Sequence, residues 1–334
     1  MPAELDFLDH PLQTHEQVIE RAKEIGRHRG LSRVVVAAAE EDDVLAAMYA
    51  CKQSGISDAT LVGNPDNIRA ALTTADVPAD TFEIIATESD EESALKAATM
   101  AGSGEADVVM KGYLKTSTLL KTLLKHEHGL RDQELVSHSA LLYVPKYGKL
   151  INITDGGTIP VPTLEQKLVV IQNAAQVLRS VGVAKPRVAV LGAGETVSDV
   201  YPESGDARDL VEIAQENWSN DLEISGPMPL DLAMRRAEHL GARIDDPVAG
   251  DADILLVHTL EQGNVIAKTL IQFGGAIFMG VIAGAKVPIS LVSRSDTMMN
   301  KMASIALAVC LADYQRRGFP ALPSVELETG EERA

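Results

Sequence analysis

Apolar residues along the chain fall into two alternating patterns. Short runs rich in valine, isoleucine and alanine are continuously apolar, which is typical of parallel strands covered on both faces. Longer stretches between them, such as Thr163–Gly182, carry apolar residues at close to helical spacing. The short runs predict strands at Arg33–Ala39, Ala59–Val62, Phe82–Ala86, Asp107–Met110, Leu135–Val144, Lys149–Ile153, Arg187–Leu191, Asp253–Val257, Ala276–Ile282 and Ile289–Val292. This alternation predicts an α/β fold with a largely parallel sheet.

The N-terminal ends of several helices can be predicted from capping patterns in the sequence. Thr14–Gln17 and Ser89–Glu92 both have the capping-box pattern, in which a hydroxyl residue is followed three positions later by Glu or Gln. The last helix contains the apolar segment Met302–Ala312, which fits either the core or a dimer interface.

The chain length predicts two domains, because 334 residues exceed the usual size of one domain. The clearest breaks in the pattern are His126–Asp132 and Gly284–Pro288. If both are crossovers, residues 1–128 plus 289–334 form a discontinuous first α/β lobe and residues 129–288 form the second. A cleft between two lobes is the usual place for a substrate.

The charge balance is acidic, with 48 Asp and Glu against 30 Lys and Arg and a formal net charge of −18. Nucleic acid is therefore not an expected partner, since phosphate backbones require clustered basic residues. The few basic residues beside glycines or at helix starts become the candidates for binding small anions.

The expected compartment is the cytoplasm. No apolar run reaches the length of a membrane helix, and the N-terminal residues lack the pattern of a secretory signal. The two cysteines, Cys51 and Cys310, show no metal-binding spacing and are predicted to be small core residues in a reducing compartment.

The common nucleotide-binding and metal-binding motifs are incomplete or absent in this sequence. Gly192–Val197 begins like a dinucleotide fingerprint, but valine replaces the third glycine, so an ordinary strand-to-helix turn is favoured. The P-loop, the G-x-S-x-G elbow, H-E-x-x-H and Cys/His clusters do not occur. The sequence therefore gives no motif-based indication of a zinc site, a P-loop or a dinucleotide site.

What remains is a set of polar residues at the ends of apolar strands, where ligands collect in open α/β sheets. These segments are Met110–Gly112 with Lys115–Thr118 after it, Thr154–Thr158, Ser225–Pro227 and Ser293–Asp296.

Ser293–Asp296 is the strongest candidate for a phosphate site. Small hydroxyls and Arg294 at a helix start combine N–H donors, a favourable dipole and a forked cation. The alternative is that Ser293 caps the helix and Arg294 pairs with a surface carboxylate. Lys111 is a second candidate, because it interrupts an apolar run just before a glycine.

These segments together resemble the phosphate acetyl/butyryltransferase family, and its butyryl branch more closely. The resemblance runs from about residue 33 to residue 310 and is most specific in AGDADILLV followed by E-x-GN, and in GAKVPISLVSRSD. It also includes ADVVMKGYLKTSTLLKTLL, LVSHSALL and LINITDGG. It implies two α/β lobes of the isocitrate/isopropylmalate dehydrogenase architecture, a cleft active site and usually a homodimer. The implied substrates are acyl-CoA and phosphate.

The resemblance also implies a mechanism. A CoA thiolate attacks the carbonyl of an acyl phosphate and phosphate leaves, without a metal or a covalent enzyme intermediate. Ser293 would hydrogen-bond the thiol or the oxyanion, and Arg294 would grip the phosphate. Lys121 takes the place of an acetyl-branch arginine and would bind phosphate without its bidentate fork. Lys111 and Thr116 would complete the anion pocket.

One position departs from the acetyl branch. That branch carries an aspartate, a proposed base, seven residues after the counterpart of Ser293, where this chain has Asn300. Asn300 is retained as a substrate-binding candidate, and Asp296 is the nearest ionisable substitute for the base. Two alternatives stay open: Asp296 is an extra cap on the last helix, or no base is needed because the thiol ionises beside Lys and Arg.

Other functions are compatible with the fold class. A metal- and NAD(P)-dependent hydroxy-acid dehydrogenase would need clustered aspartates, and Asp251 and Asp253 are close in sequence. A non-catalytic acyl-CoA-sensing or complex-bound module, or an acyl-phosphate-forming subunit of an amino-acid reductase complex, would share the family pattern. The motifs leave the acyl chain length and the direction of flux open.

Overall fold

The computed structural model describes residues 10–133, 135–235, 245–293, 296–319 and 321–325. The first half of the chain alternates helices and strands: α1 His15–Arg29, β1 Ser32–Ala37, α2 Asp42–Gln53, β2 Ser57–Gly63, α3 Pro65–Thr74, β3 Glu83–Ala86, α4 Asp90–Gly102, β4 Val108–Lys111, α5 Thr116–Leu123 and a 3₁₀ turn at His126–His128.

The second half begins with two consecutive strands and then alternates. Its elements are β5 Ser137–Val144, β6 Lys149–Thr154, α6 Leu164–Ser180, β7 Arg187–Leu191, α7 Glu203–Trp218, β8 Glu223–Met228, α8 Leu230–Met234, β9 Ile254–Leu256, α9 Leu260–Gly274, β10 Ile277–Ala283, β11 Ile289–Ser290 and α10 Met298–Arg316.

Within the described residues, the strands form one sheet of eleven strands in the order β3-β2-β1-β4-β11-β10-β5-β6-β9-β7-β8. Its pairings are parallel except between β11 and β10, β10 and β5, and β5 and β6. The predicted α/β fold with a largely parallel sheet is confirmed, and the antiparallel centre is an addition that the pattern does not reveal.

Each predicted strand is present, with both ends within two residues of the expected bounds, but β8 was missed. Ser225–Pro227 was noted only as a polar segment at a strand end, and Gly226 and Pro227 are both residues that weaken strands. Their presence is tolerated because β8 is an edge strand. A Cβ on Gly226 would lie 2.7 Å from Cβ of Val190, so only glycine allows β8 to approach β7 at its register shift.

The predicted helix starts follow the local sequence. Thr14 forms a complete capping box with Gln17, and Thr163 forms another with Gln166. Ser89 caps α4 through the amide N–H of Glu92, whereas the Glu92 carboxylate accepts from the amide of Glu88. The second half of that predicted box is therefore shifted by one residue.

Helix α10 belongs to the core. It packs against α1, α2, α6 and β10, and the residues from Ala303 to Ala312 are buried within the chain itself. The predicted segment Met302–Ala312 therefore serves the core. Cys51 and Cys310 are also fully buried, and burial raises the pKa of both thiols to about 12. Their prediction as small core residues is confirmed.

The two predicted crossovers lie side by side. Arg131 forms a bridge with Ala285, and the amide of Gln133 donates to the carbonyl of Gly284. Strands β1 to β4 and β11 occupy one half of the sheet, and the remaining strands occupy the other half. The division into two lobes at these crossovers stays a prediction, with β11 and β10 as the point where they would join.

Helices that could cross a membrane were sought in the described ranges, and none has the required length and apolar character.

Candidate active site

A cavity of about 200 Å³ lies between α9 and the sheet face formed by β5 and β10. Its polar lining residues are Thr116, His138, Asn264, Lys268, Ser293 and Asp296. Its apolar lining residues are Ala140, Ala267, Ile271, Phe278, Leu291 and Val292. Predicted site residues from α5 and from the segment before α10 thus meet in one place, together with groups that the sequence reasoning did not select.

Asp155 builds the loop that follows β6. Its carboxylate is buried and accepts hydrogen bonds from the amides of Gly157 and Thr158, each at 2.7 Å, and from the Thr158 hydroxyl. It also accepts from the amide of His138 at 2.8 Å, which ties the loop to β5. The carboxylate therefore works as a structural anchor for one rim of the cavity.

Two glycines bring this loop against the start of α9. A Cβ on Gly156 would lie 2.8 Å from the carbonyl carbon of Gly263 and 2.9 Å from the amide nitrogen of Asn264. Thr259 caps α9 by accepting from the amide of Gln262. The contact between the two backbones sets where Asn264 meets the cavity.

His138 is a buried imidazole on the cavity wall. Gly157 packs on it so closely that a Cβ there would lie 2.7 Å from the ring Cγ. Burial lowers the pKa of His138; the nearby charges of Asp155 and Asp296 oppose this shift and that of Lys268 adds to it. The imidazole is therefore mainly neutral at pH 7. Among the described residues, its Nδ1 has no hydrogen-bond partner.

Ser293 and Asp296, which precede α10, are joined by two hydrogen bonds. The Asp296 carboxylate accepts from the amide of Ser293 at 2.6 Å, and the amide of Asp296 donates to the carbonyl of Ser293 at 3.0 Å. The ammonium of Lys301, which is 1% exposed, donates to the Asp296 carbonyl at 2.9 Å. This segment presents Ser293 and Asp296 to the cavity. Arg294, the predicted phosphate ligand, lies outside the described residues.

The cap of α10 is Thr297, whose hydroxyl accepts from the amide of Asn300 at 3.2 Å. Thr297, and not Ser293, is therefore the cap of this helix, and the alternative that Asp296 is an extra cap stays open. Asn300 itself is 3% exposed, and its side-chain oxygen accepts from the amide of Phe278 at 3.3 Å. The amide side chain is thus used in binding α10 to β10, and a substrate-binding role for Asn300 stays a prediction.

The predicted lysines lie outside the cavity lining. Lys111 is buried at the end of β4, and its ammonium donates to the carbonyls of Gly112 at 3.0 Å and Leu114 at 3.3 Å. Lys121 is exposed on α5. Thr116, the first residue of α5, does line the cavity.

Sequence reasoning did not select His138, Asn264 or Lys268 as site residues, although all three lie in segments that carried the family resemblance. Asp155 lies in the candidate segment Thr154–Thr158 but was given no role there. Lys268 follows Asn264 by one helical turn, and a helix starting at the E-x-GN motif would have placed both on the same face.

The alternative chemistries find little support in this geometry. Asp251 and Asp253 form ion pairs with Lys149, at the opposite end of β6 from the cavity loop. In the part of the chain that the structure describes, there is no group of three His, Cys, Asp or Glu residues that could hold a metal ion. Gly192–Val197 is separated from α7, which begins at Glu203, so it does not open a helix as a dinucleotide fingerprint does.

The α/β fold thus holds one cavity with apolar and polar walls, and the similar proteins show that the chain is an acyltransferase. The chain belongs to the family described as Phosphate acetyl/butaryl transferase, whose profile matches residues 13–94 and 90–309.

Similar proteins agree with this assignment. A phosphate butyryltransferase from Clostridium acetobutylicum is 33% identical over 303 residues, covering 90% of this chain and 99% of that protein. A probable phosphate butyryltransferase from Bacillus subtilis is 35% identical, covering 84% and 93%. The crystal structure of a branched-chain phosphotransacylase from Enterococcus faecalis V583 has a TM-score of 0.75 and 28% identity, covering 84% of this chain and 99% of that one. The predicted isocitrate/isopropylmalate dehydrogenase-like architecture is confirmed.

Proposed function

We propose that this chain transfers a short acyl group reversibly between the sulfur of CoA and inorganic phosphate. The observation that carries the proposal is the single cavity in which an apolar wall adjoins Ser293, Asp296, Lys268 and Thr116. An acyl chain requires an apolar wall, and phosphate or a thiolate requires polar or positively charged groups. Membership of the family supports the same reaction.

The reaction is a displacement at a carbonyl carbon. In the direction of acyl phosphate synthesis, a phosphate oxygen attacks the thioester carbonyl and forms a tetrahedral oxyanion. The carbon–sulfur bond then breaks, and CoA leaves as a thiolate that takes up a proton. In reverse, the thiolate attacks the acyl phosphate and phosphate leaves, with no change of oxidation state. The protein supplies positioning and charge stabilisation.

Ser293 and Lys268 are the groups best placed to stabilise charge. We assign the Ser293 hydroxyl to the oxyanion or the thiolate, and the half-buried Lys268 ammonium to the anions in the cavity. Arg294 follows Ser293 directly, and its proposed role is to grip the phosphate. Thr116 at the start of α5 offers a hydroxyl and helix N–H groups to the same anion.

Asp296 is the proposed base for the CoA thiol. Its carboxylate lines the cavity and its hydrogen bond to the Ser293 amide fixes its orientation. The aspartate of the acetyl branch has no functional equivalent at Asn300 within this geometry, because that side chain is buried against β10. Lys111 and Lys121 stay proposed contributors to the electrostatic field of the site.

Three further features belong to the proposal. The reaction proceeds without a metal ion, so treatment with a chelator is expected to leave the rate unchanged. The chain acts as a homodimer, as the family resemblance implies, and its expected compartment is the cytoplasm. Acyl-CoA and phosphate are its substrates, and no tightly bound cofactor takes part.

The test is CoA release from acetyl-, propionyl- and butyryl-CoA with and without phosphate, in the presence of a chelator. Release is expected to require phosphate and to fall about 100-fold or more in Arg294→Ala, the scale of losing one donor to a transition-state charge. Arg69→Ala is the matched control, because Arg69 is an exposed arginine on α3 that pairs with Asp66. CoA binding without phosphate-dependent release would instead indicate a sensing or complex-bound module.

A further inference from the structure

The backbone of His138, the second residue of β5, is held in place on both sides. Its amide donates to the Asp155 carboxylate at 2.8 Å, and its carbonyl accepts from the Thr154 hydroxyl at 2.9 Å. The Asp155 carboxylate also accepts from the amides of Gly157 and Thr158 and from the Thr158 hydroxyl, so its oxygens are already used. The strand and the loop after β6 therefore fix the position of the imidazole before a substrate binds.

One edge of the imidazole is covered by protein and the opposite edge is open. A Cβ on Gly157 would lie 2.7 Å from the ring Cγ and 2.8 Å from Nδ1. Nδ1 is buried and has no hydrogen-bond partner within the ranges that the structure describes. Nε2 is the ring atom opposite the bond between Cγ and Nδ1. Because the imidazole lines the cavity, Nε2 is the nitrogen that faces it.

The burial of Nδ1 also decides which nitrogen carries the proton. A hydrogen on Nδ1 would be a buried N–H donor without an acceptor, which is rarer in native proteins than an unpaired acceptor. Burial is the main reason why the pKa of His138 lies below its usual range, so the ring is mainly neutral at pH 7. The neutral ring therefore carries its proton on Nε2, and this N–H is a hydrogen-bond donor to the cavity.

The surroundings of the imidazole suit a donor better than a base. The charge of Lys268 lowers the pKa of the ring further, and the charges of Asp155 and Asp296 oppose this shift. The ring of Phe278 lies beside the imidazole, with 6.2 Å between the two centroids. An apolar neighbour excludes water and strengthens a hydrogen bond from Nε2. Since Nε2 already carries a proton, it does not accept the proton of the CoA thiol.

Resting on the function proposed above, we propose that His138 is a further catalytic residue, whose Nε2–H donates a hydrogen bond to the carbonyl oxygen of the acyl group as this oxygen becomes negative. A neutral imidazole is able to polarise a carbonyl in this way. This role leaves the Ser293 hydroxyl for the thiolate, so that each developing charge has its own donor.

The step is a hydrogen bond to an oxyanion and involves no proton transfer from the imidazole. When a phosphate oxygen attacks the carbonyl carbon, the electron pair of the carbonyl π bond moves to the carbonyl oxygen. Nε2–H stabilises the resulting negative charge and keeps its proton. The pair then returns to re-form the carbonyl, the carbon–sulfur bond breaks, and CoA leaves as the thiolate.

Two substitutions separate the donor from the bulk of the ring. His138→Leu keeps an apolar side chain but has no donor, and it is expected to lower kcat by about 10²- to 10³-fold, the effect of removing one oxyanion donor. His138→Gln places an amide N–H close to the position of Nε2 and is expected to recover about 10-fold or more of that loss. Both variants are expected to leave the calorimetric dissociation constant of butyryl-CoA almost unchanged, because the donor acts mainly on the transition state.

The pH profile of kcat/KM distinguishes a donor from a base. His138→Gln keeps Asp155, Asp296 and Lys268, the charged groups that act on the ring. If Nε2–H only donates, this variant keeps the acidic limb of the wild-type profile, because the proton acceptor is still present. A glutamine variant that is as inactive as the leucine variant and has lost the acidic limb would overturn the proposal, because His138 would then be the base.

His15→Leu is the matched control. His15 is also buried and packs on an aromatic ring, that of Tyr143, with 5.4 Å between the centroids, but it does not line the cavity. It is expected to keep the wild-type kcat and pH profile. Thermal unfolding measures the stability of each variant, and an equal loss of kcat in the two leucine variants contradicts a specific role of His138.

Infrared difference spectroscopy reports the hydrogen bond without turnover. The probe is butyryl-CoA, isotope-labelled at the thioester carbonyl and bound without phosphate. Its carbonyl stretch is expected at a lower frequency in wild type and His138→Gln than in His138→Leu. If the leucine variant does not fold, the frequency in the wild-type complex is compared with that of butyryl-CoA in solution, and an equal or higher frequency in the complex overturns the proposal.

The outcomes separate this inference from the proposed function. Phosphate-dependent turnover with a wild-type kcat and an unchanged carbonyl frequency in His138→Leu overturns the role of His138 and leaves the proposed function intact. Without any phosphate-dependent turnover the proposed function fails, and the carbonyl frequency then decides by itself whether His138 binds the acyl carbonyl.

Discussion

At the scale of single residues, the Asp296 carboxylate has two proposed roles: it accepts a hydrogen bond from the Ser293 amide, and it accepts the proton of the CoA thiol. Substitution separates these two roles. Asp296→Asn keeps an oxygen for the Ser293 amide but does not accept a proton near neutral pH. We expect it to fold normally and to lose about 10²- to 10⁴-fold in kcat, the usual contribution of a general base. Steady-state kinetics with butyryl-CoA and phosphate measure the loss.

Asp296→Ala provides the comparison, because it removes both the hydrogen bond to the Ser293 amide and the proton acceptor. It is expected to lose more activity than Asp296→Asn. An Asn variant within about two-fold of wild type, beside a damaged Ala variant, would limit Asp296 to positioning Ser293. The proton would then be lost to solvent from a thiol whose ordinary pKa is about 8.5.

Two buried histidines make stability depend on pH. Burial is the main reason why the pKa values of His138 and His258 lie below the usual 6.5; the neighbouring Lys268 and Lys167, respectively, add to the shift. As the pH falls below about 6.5, the unfolded chain binds protons at these positions before the folded protein does. The free energy of unfolding therefore falls with pH in this window, by at most about 1.4 kcal/mol per pH unit for each histidine.

Urea unfolding between about pH 7 and pH 5 measures this slope. His138→Gln removes one titrating group and is expected to flatten the dependence, while the remaining slope reports His258. The carboxylates contribute mainly at lower pH, near their ordinary pKa values of about 4. Identical slopes for wild type and variant would show that His138 does not titrate differently in the folded and unfolded states.

At the scale of elements, the site depends on the contact between the loop after β6 and the start of α9. Gly156→Ala would place a Cβ 2.8 Å from the backbone of Gly263. We expect it to lower the free energy of unfolding by about 1–3 kcal/mol, the usual range for overpacking, and to reduce kcat/KM because Asn264 and Lys268 move with the helix. Thermal unfolding and kinetics are the two measurements.

Gly194→Ala is the matched control, since a Cβ there would meet nothing within 4 Å. It is expected to be neutral or stabilising by up to about 1 kcal/mol, because alanine has less freedom than glycine in the unfolded chain. Equal effects of the two substitutions would contradict the importance of the backbone contact.

Some of the strands and helices could be predicted from the sequence, and others could not. Strands with continuous apolar runs and helices with Thr or Ser caps were recognised, because their signals are local. Strand β8 was missed, because Gly226 and Pro227 are acceptable only at a sheet edge, and edge position is a property of the whole sheet. The antiparallel pairing of β5 with β6 and β10 also arises from tertiary packing.

At the scale of the whole molecule, the sequence predicted the fold class and brought Ser293, Asp296 and Thr116 into the set of candidates. The cavity that joins them also requires α9 and β5, which are distant in sequence. His138 and Lys268 carry no motif by themselves, because one histidine and one lysine become site residues only when folding brings them to the same wall. The position of Asn300 against β10 likewise depends on packing that its motif does not encode.

The most direct test of the central claim is a product balance. Chelator-treated enzyme is given butyryl-CoA and phosphate, and acyl phosphate is trapped with hydroxylamine while free CoA is titrated. The account predicts one acyl phosphate for each CoA released, and no release when phosphate is omitted. Release of CoA with free carboxylic acid as the product, or release that does not depend on phosphate, would contradict it.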